Sequence, residues 1–406
     1  VKIDILMIVP FTHLPGEPKN GRFHYLAQQI NRSKAEVEIV TTDFSHGIKT
    51  HRSVSAEDLA RAGYRVTLIH EPGYKKNISV SRYVSHHVLG RNLNKYLRTR
   101  QRPDVVYCAV PPPNVAKVAA KYARAHDVPF VIDIQDIWPD AFKMFFDKPL
   151  VSDVLFYPVR REVDYVYASA DHIIAVSQTY AERGLRASKK CNDATVVFLG
   201  TELDKFDRLA IEYAIDTSGK KELWLAYVGT LSHSYDVPCV IDALSLLKKQ
   251  GITDIKFIVM GEGPLRTKFE AYADTRDVWV EFTGRLSYGE MVGLLSACDI
   301  AVNPIVRGSG GSILNKHADY AAAGLPVVNT QESPEYRKLV EQHYIGFNCE
   351  TGNAYDLADK ILTLYQRGEL RKEMGNNHRL LAEEMFDRKH TYAAIINLLM
   401  QICEGR

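Results

Sequence analysis

Short apolar, β-branched runs recur along the chain, separated by stretches with helical periodicity. In the first half the runs are Ile3–Val9, Val37–Thr42, Arg65–His70, Val105–Ala109, Phe130–Ile134, His172–Val176 and Val196–Leu199. Few polar residues interrupt them, as expected of parallel strands covered on both faces. Asn114–His126 and Val159–Ala170 have the spacing of intervening helices. A charged, strand-poor stretch, Lys205–Lys221, then breaks the rhythm and reads as a linker. The alternation restarts with Leu223–Val228, Lys256–Met260, Val278–Thr283, Ile300–Asn303, Val327–Asn329 and Ile345–Asn348. From about Leu370 the pattern is helical to the end. The pattern predicts an α/β protein of two doubly wound domains facing across a cleft. The expected boundaries are 1–204, 205–385 and a final helical segment 386–406.

The most informative stretch is Arg307–Thr330, RGSGGSILNKHADYAAAGLPVVNT. Gly308, Gly310 and Gly311 open it, a helical pattern runs from Ser312 to Ala323, and Gly324 caps it before Val327-Val328. At helical spacing Ser312, Lys316 and Asp319 share one face, expected to point outward. Leu314, Ala318, Ala321 and Ala322 form the opposite face. A helix start offers unpaired N–H groups and partial positive charge, which glycines let a phosphate approach closely. Lys316 adds a full charge, and Asp319 can accept from ribose hydroxyls. These residue types suit a nucleoside diphosphate. A plain capped surface helix would carry the same glycine pattern.

Composition narrows the classes. The 406 residues are 46% hydrophobic and 25% charged, ordinary for a globular protein long enough for two cores. A net charge of +2 does not point to nucleic acid as a partner. Six cysteines form no CxxC pair, so reduced thiols and a cytoplasmic setting are expected. The run IDILMIVPF carries Asp4 and ends at Pro10, which favours a first strand over a signal peptide. No metal is expected, because the fourteen histidines show no ligand spacing. Lys75–Arg102 holds eight Lys/Arg and no acid. Arg91, Lys95, Arg98 and Arg102 repeat at helical spacing, with Val84, Val88, Leu89, Leu93, Tyr96 and Leu97 on another face. Such a helix fits either an anionic membrane surface or a solvated basic face.

Five further turns follow strands. Gly21-Arg22 begins a helix after strand one, where Gly21 permits close approach and Arg22 can pair with phosphate. The run DIQDIWPD (Asp133–Asp140) presents Gln135, Asp136 and Trp138. Gly229-Thr230 closes the first strand of the second half. MGEGPLRTKF (Met260–Phe269) holds Gly261 and Gly263, and FTGRLSYGEM holds Gly284, Arg285 and Leu286. No G-x-G-x-x-G is present, which disfavours a nicotinamide cofactor.

Together these segments carry a resemblance. NKHADYAAAGLPVV resembles the C-terminal signature of retaining nucleotide-sugar glycosyltransferases of the GT-B fold, glycosyltransferase family four. DIQDIWPD resembles a segment of its bacterial polysaccharide members. The resemblance implies two Rossmann-like domains, a last helix that crosses back to the first domain, and no cofactor beyond the nucleotide-sugar substrate. It implies catalytic roles for Lys316, Asp319, Asp136 and Gln135. Donor contacts are implied at Gly21, Arg22, Gly229, Thr230, Gly261, Gly263, Gly284, Arg285, Leu286, Gly308, Gly310, Gly311 and Ser312. The chain departs from the pattern at Gln135, where many relatives have histidine or arginine, and in three further places. Asp319 replaces a glutamate, Gly311 replaces a second acid, and Thr230 replaces a base. The implied activity is metal-independent transfer of a sugar, with retention, to a glycan or lipid-linked acceptor. A nucleotide-sugar 2-epimerase and a noncatalytic nucleotide-sugar-binding protein share the fold and remain open at this stage.

Overall fold

A computed structural model describes all residues except 1, 15, 16, 18–20, 78, 141–148, 310 and 406, and the side chains at 149–153. The chain divides into two compact units, Val1–Val197 with Tyr392–Arg406, and Phe198–Thr391. The sequence pattern put these boundaries at 204/205 and 385/386. Residues 198–204 and 386–391 go with the second unit because Phe198 packs on Phe386 and Thr201 N–H donates to the Phe386 carbonyl.

The first unit contains β1 (Ile3–Ile8), β2 (Ala35–Thr42), β3 (Phe44–Ser45), β4 (Thr50–His51), β5 (Arg65–Ile69), β6 (Val105–Val110), β7 (Phe130–Ile134), β8 (His172–Ala175) and β9 (Thr195–Val196). Seven of them form a parallel sheet in the order β5-β2-β1-β6-β7-β8-β9. The order reverses direction between β1 and β6. The short β3–β4 hairpin escaped the sequence reading because two-residue strands carry no periodicity. The final helix, Ala393–Glu404, buries Ile395 and Leu399 in this unit's core beside Ile5, Tyr25 and Val105.

The second unit contains β10 (Leu223–Val228), β11 (Ile255–Met260), β12 (Val280–Gly284), β13 (Ile300–Asn303), β14 (Val327–Asn329) and β15 (Gly346–Asn348), parallel in the order β12-β11-β10-β13-β14-β15. Its reversal lies between β10 and β13. Open α/β sheets receive ligands at the carboxyl ends of strands flanking such a reversal.

The expected linker is a correction. Leu203–Glu212 is a helix with Leu203 and Phe206 buried. Tyr213, just beyond it, lies so close to Gly289 and Gly293 that a Cβ at either would collide with it. Charge on the outer face of this helix masked its apolar edge.

The basic segment is the helix Val80–Thr99. Leu89, Leu93 and Leu97 are buried as expected, but Val84 is half exposed and Val88 and Tyr96 are only partly covered. Arg82 and Arg100 are not surface charges. Arg82 is buried, and Arg100 bridges Glu38 and Asp4, each at 2.6 Å. Arg102 donates to the Asp127 carbonyl. Arg91, Lys95 and Arg98 remain exposed.

Candidate functional site

The glycine-led stretch lies beside the reversal in the second unit. Its helix is Asn315–Ala322, three residues shorter at the start than expected. The Tyr320 hydroxyl donates to Val302 O and accepts from Val228 N–H, which ties the helix to β13 and β10. That anchoring turns Lys316 inward. The expected outward-facing stripe is therefore wrong for Lys316 and Ser312, both buried.

Lys316 Nζ sits 4.3 Å from the Tyr227 ring centre and 4.1 Å from that of Tyr235. Among the described residues it has no hydrogen-bond partner, and burial holds its amine well below the usual lysine range. An ammonium gains something from aromatic faces, but a buried cation normally also has an anion. At Gly229 (φ 153°) a Cβ would stand 3.2 Å from Nζ, so the glycine leaves the amine its space. His317, next in sequence, accepts from Leu314 N–H and stacks on Tyr336 at 3.6 Å. Burial keeps this imidazole neutral.

The remaining second-unit candidates surround this helix or support the β10 turn. Ser312 Oγ is buried without a partner among the described residues, while its carbonyl accepts from Gln331 Nε2 at 2.7 Å. Gly308 N–H donates to Glu332, and Gly311 is exposed. Gly310 lies outside the described residues. Asp319 is half-buried and accepts from the Tyr288 hydroxyl at 3.0 Å. Gly261 and Gly263 have a packing reason. A Cβ at Gly261 would lie 1.8 Å from Gly229 O, and one at Gly263 would lie 2.1 Å from Leu231 O. The two turns are thus pressed backbone to backbone. Gly284 (φ 76°) turns the chain out of β12. The Arg285 and Thr230 side chains are exposed, and Leu286 is half-covered.

One feature was missed. Asn303, Asn329 and Asn348 are in register across β13, β14 and β15. Their amides form a ladder, Asn303 Nδ2 to Asn329 Oδ1 and Asn329 Nδ2 to Asn348 Oδ1, both 2.8 Å. Asn303 Nδ2 also donates to Gln331, which holds Ser312. Asparagine closing each of three apolar strands was the available signal.

The first unit holds the other candidates. Gly21 caps the helix Arg22–Gln29. Arg22, expected to meet phosphate, is instead buried against Asp133, Nε to Oδ2 at 2.8 Å, and donates to Val197 O. Burial alone would lower its pKa; Asp133, Tyr392 and Tyr107 more than offset this and raise it. Gln135 donates to Asp133 Oδ1 at 2.6 Å. Asp136 accepts from Ile137 N–H and Trp138 Nε1. The visible work of Gln135 and Asp136 is to shape the 135–138 turn. Burial pushes the Asp136 carboxyl up, against those hydrogen bonds.

That turn sets Trp138 beneath the Arg82 guanidinium, 4.2 Å from its ring centre, with His86 stacked alongside. Phe11, His46 and Tyr74 complete the cluster. Burial first, then the Arg82 charge, pushes His86 and His46 down to about 3. Lys49 falls to about 8 for the same two reasons. Arg82 Nε and Glu71 Oε2 are buried without hydrogen-bond partners among the described residues. Sequence reading saw Trp138 but not the cluster, whose members come from five separate segments.

The second unit thus holds a buried lysine amine beside Gly229, next to the strand reversal of a parallel α/β sheet. Comparison with known proteins identifies the family. Residues 20–199 match the glycosyl transferase 4-like domain, and residues 193–381 match the glycosyl transferases group 1 family. The fold is GT-B, and by these two adjoining matches the chain belongs to the group 1, type 4-like glycosyltransferases. HepE of Anabaena, crystallised in complex with UDP, has the same fold, with a TM-score of 0.71 at 17% identity over 98% of this chain and 100% of that one. An uncharacterized glycosyltransferase of Methanocaldococcus jannaschii is 23% identical over 55% of this chain, and the O-antigen chain mannosyltransferase C of Escherichia coli is 24% identical over 60%. These alignments span 57% and 62% of the two relatives' own lengths.

Proposed function

We propose that the protein moves a sugar from a nucleoside diphosphate donor to a glycan or lipid-linked acceptor, with retention of anomeric configuration. The observation that carries this reading is the buried, unpartnered Lys316 amine between Tyr227 and Tyr235, beside Gly229. A diphosphate supplies the missing anion. As the glycosidic C–O bond breaks, its electron pair leaves on the diphosphate, where Lys316 and the 315–322 helix start stabilise the growing charge. The acceptor oxygen bonds the same face of the sugar and gives its proton to the departing phosphate oxygen. This route needs no protein nucleophile and no metal in the transfer step. The UDP complex of the similarly folded HepE makes uridine diphosphate the first nucleotide to test.

A thermal-shift screen of nucleoside diphosphates tests the reading. One of them at about 100 times its Kd should add ~2.7 kcal/mol of stability. Asp319→Asn should weaken that binding by about 1.5 kcal/mol or more, through loss of a charge-assisted hydrogen bond, while leaving the saturated rate nearly intact. No shift with any nucleoside diphosphate would refute the proposal. Conversion of the donor sugar without an acceptor would instead establish the epimerase.

For the acceptor, the Arg82–Trp138–His86 cluster supports a partner with an aliphatic or sugar face and an anionic group. A lipid-linked acceptor is favoured by the outer face of helix Val80–Thr99, where Val80, Tyr83 and Val84 are exposed along with Arg91, Lys95 and Arg98. No described helix is long and apolar enough to cross a membrane. Changing the three basic residues to Gln should reduce binding to phosphatidylglycerol vesicles by about 1 kcal/mol per residue. Vesicle binding that is absent in the parent, or unchanged in the variant, would count against surface attachment.

A further inference from the structure

The first unit brings together three side chains that the sequence scatters. Asp43 follows β2, His51 ends β4 and His70 follows β5. Their ligand atoms all lie within 4.8 Å of one another. His70 Nδ1 is 2.7 Å from Asp43 Oδ2, and His51 Nδ1 is 3.5 Å from Asp43 Oδ1. The two imidazoles are stacked, 5.7 Å apart and 13° from parallel.

The backbone fixes this arrangement. Asp43 N–H donates to Ile69 O, the residue before His70, and Asp43 O accepts from Arg52 N–H, the residue after His51. Both neighbouring ligand positions are therefore tied to Asp43. Glu71 N–H donates to Asp43 Oδ1 at 3.0 Å and orients the carboxylate, and Asn92 holds the His70 carbonyl. Metal sites depend on such outer contacts to aim their ligands.

We infer that Asp43, His51 and His70 form a binding site for a divalent transition ion of the zinc class. Two imidazole nitrogens and one carboxylate oxygen are the donor set such ions select, whereas magnesium and calcium prefer oxygen alone. Tetrahedral zinc bonds of ~2.0–2.1 Å place donors about 3.4 Å apart, a small side-chain rotation from the present spacing. Binding puts the Nδ1 lone pair of each imidazole on the metal, and the proton on His70 Nδ1 leaves to solvent or moves to Nε2. The open side, where His51 and His70 are 50% and 63% exposed, admits water as the fourth ligand.

The ion would fasten the β3–β4 hairpin to the carboxyl edge of the sheet. That hairpin carries His46, 2.5 Å from the Tyr74 hydroxyl, and Lys49, whose amine lies over the Tyr74 ring. Metal occupancy therefore steadies one wall of the aromatic cluster. The inference concerns binding and stability and assumes nothing about sugar transfer.

The test uses the full chain, stripped with EDTA and desalted, then titrated with zinc chloride by calorimetry. One equivalent should bind with micromolar affinity or better and raise the melting temperature. His51→Ala and His70→Ala should each weaken binding by about tenfold or more. Both imidazoles are at least half exposed, so the variants should keep the parent's circular dichroism. His87→Ala, on the exposed face of the basic helix, should bind zinc as the parent does, and magnesium chloride should give no heat. Cobalt should produce the visible absorption of a four-coordinate site in the parent only. Absence of zinc binding, or equal affinity in parent and both site variants, would overturn the assignment and leave Asp43 as a hydrogen-bonded tie between loops.

Discussion

Lys316→Met should make the ligand-free protein more stable and nearly abolish turnover. Methionine approximates the length of lysine and removes an amine that is buried without a hydrogen-bond partner among the described residues. An unsatisfied buried polar group costs about 1–3 kcal/mol, so the variant should gain stability of that order. The pH dependence follows from the lowered pKa. Between the depressed folded value and the ordinary 10.5, the unfolded chain binds a proton that the folded chain does not. Stability of the parent should therefore rise with pH across that window, and the Met variant should lose this slope. Catalysis should move the other way. A positive group facing charge that grows in the transition state is worth roughly 10²–10³ in rate. Urea unfolding at several pH values and donor-turnover kinetics check both halves. A destabilised variant, or one that keeps its rate, would contradict this role.

Arg22→Ala should destabilise the first unit by about 3–5 kcal/mol, because it strands the fully buried Asp133 carboxylate. Arg22→Met with Asp133→Leu should recover much of that loss, since a buried pair can be replaced by apolar packing at little net cost. If Arg22 instead bound phosphate, Arg22→Ala would weaken nucleotide affinity and leave the urea midpoint unchanged. Denaturant unfolding and calorimetry on the same three proteins distinguish the two outcomes.

These two residues show where sequence reading succeeded and where it stopped. The strands were legible because both faces are covered: Phe130–Ile134, Leu223–Val228 and Ile300–Asn303 are uninterrupted or nearly so, and the structure keeps those bounds. Lys316 was singled out as a candidate by its neighbours in sequence. Its burial was not legible, because the inward turn is imposed by the Tyr320 hydroxyl reaching Val228 and Val302, contacts made only after the sheet assembles. Arg22 looked like a ligand residue by its place after a glycine. Its partner is 111 positions away, and local pattern holds no trace of it. Gly261 and Gly263 were recognised as a turn, but their reason is the close approach of the 229–231 backbone. Asp43, His51 and His70 were invisible for the same cause: no regular spacing joins them, only the parallel pairing of β2 with β5 and a hairpin too short to read.

The central claim is that Lys316 receives the donor diphosphate. Calorimetry of uridine diphosphate binding, repeated in buffers of different ionisation enthalpy at about pH 8, where the phosphates are fully ionised, measures it most directly. The account predicts that the parent takes up protons on binding, as the buried amine becomes an ammonium against the diphosphate. Lys316→Met should bind at least tenfold more weakly and take up fewer protons. Equal affinity and equal proton uptake in the two proteins would place the diphosphate elsewhere.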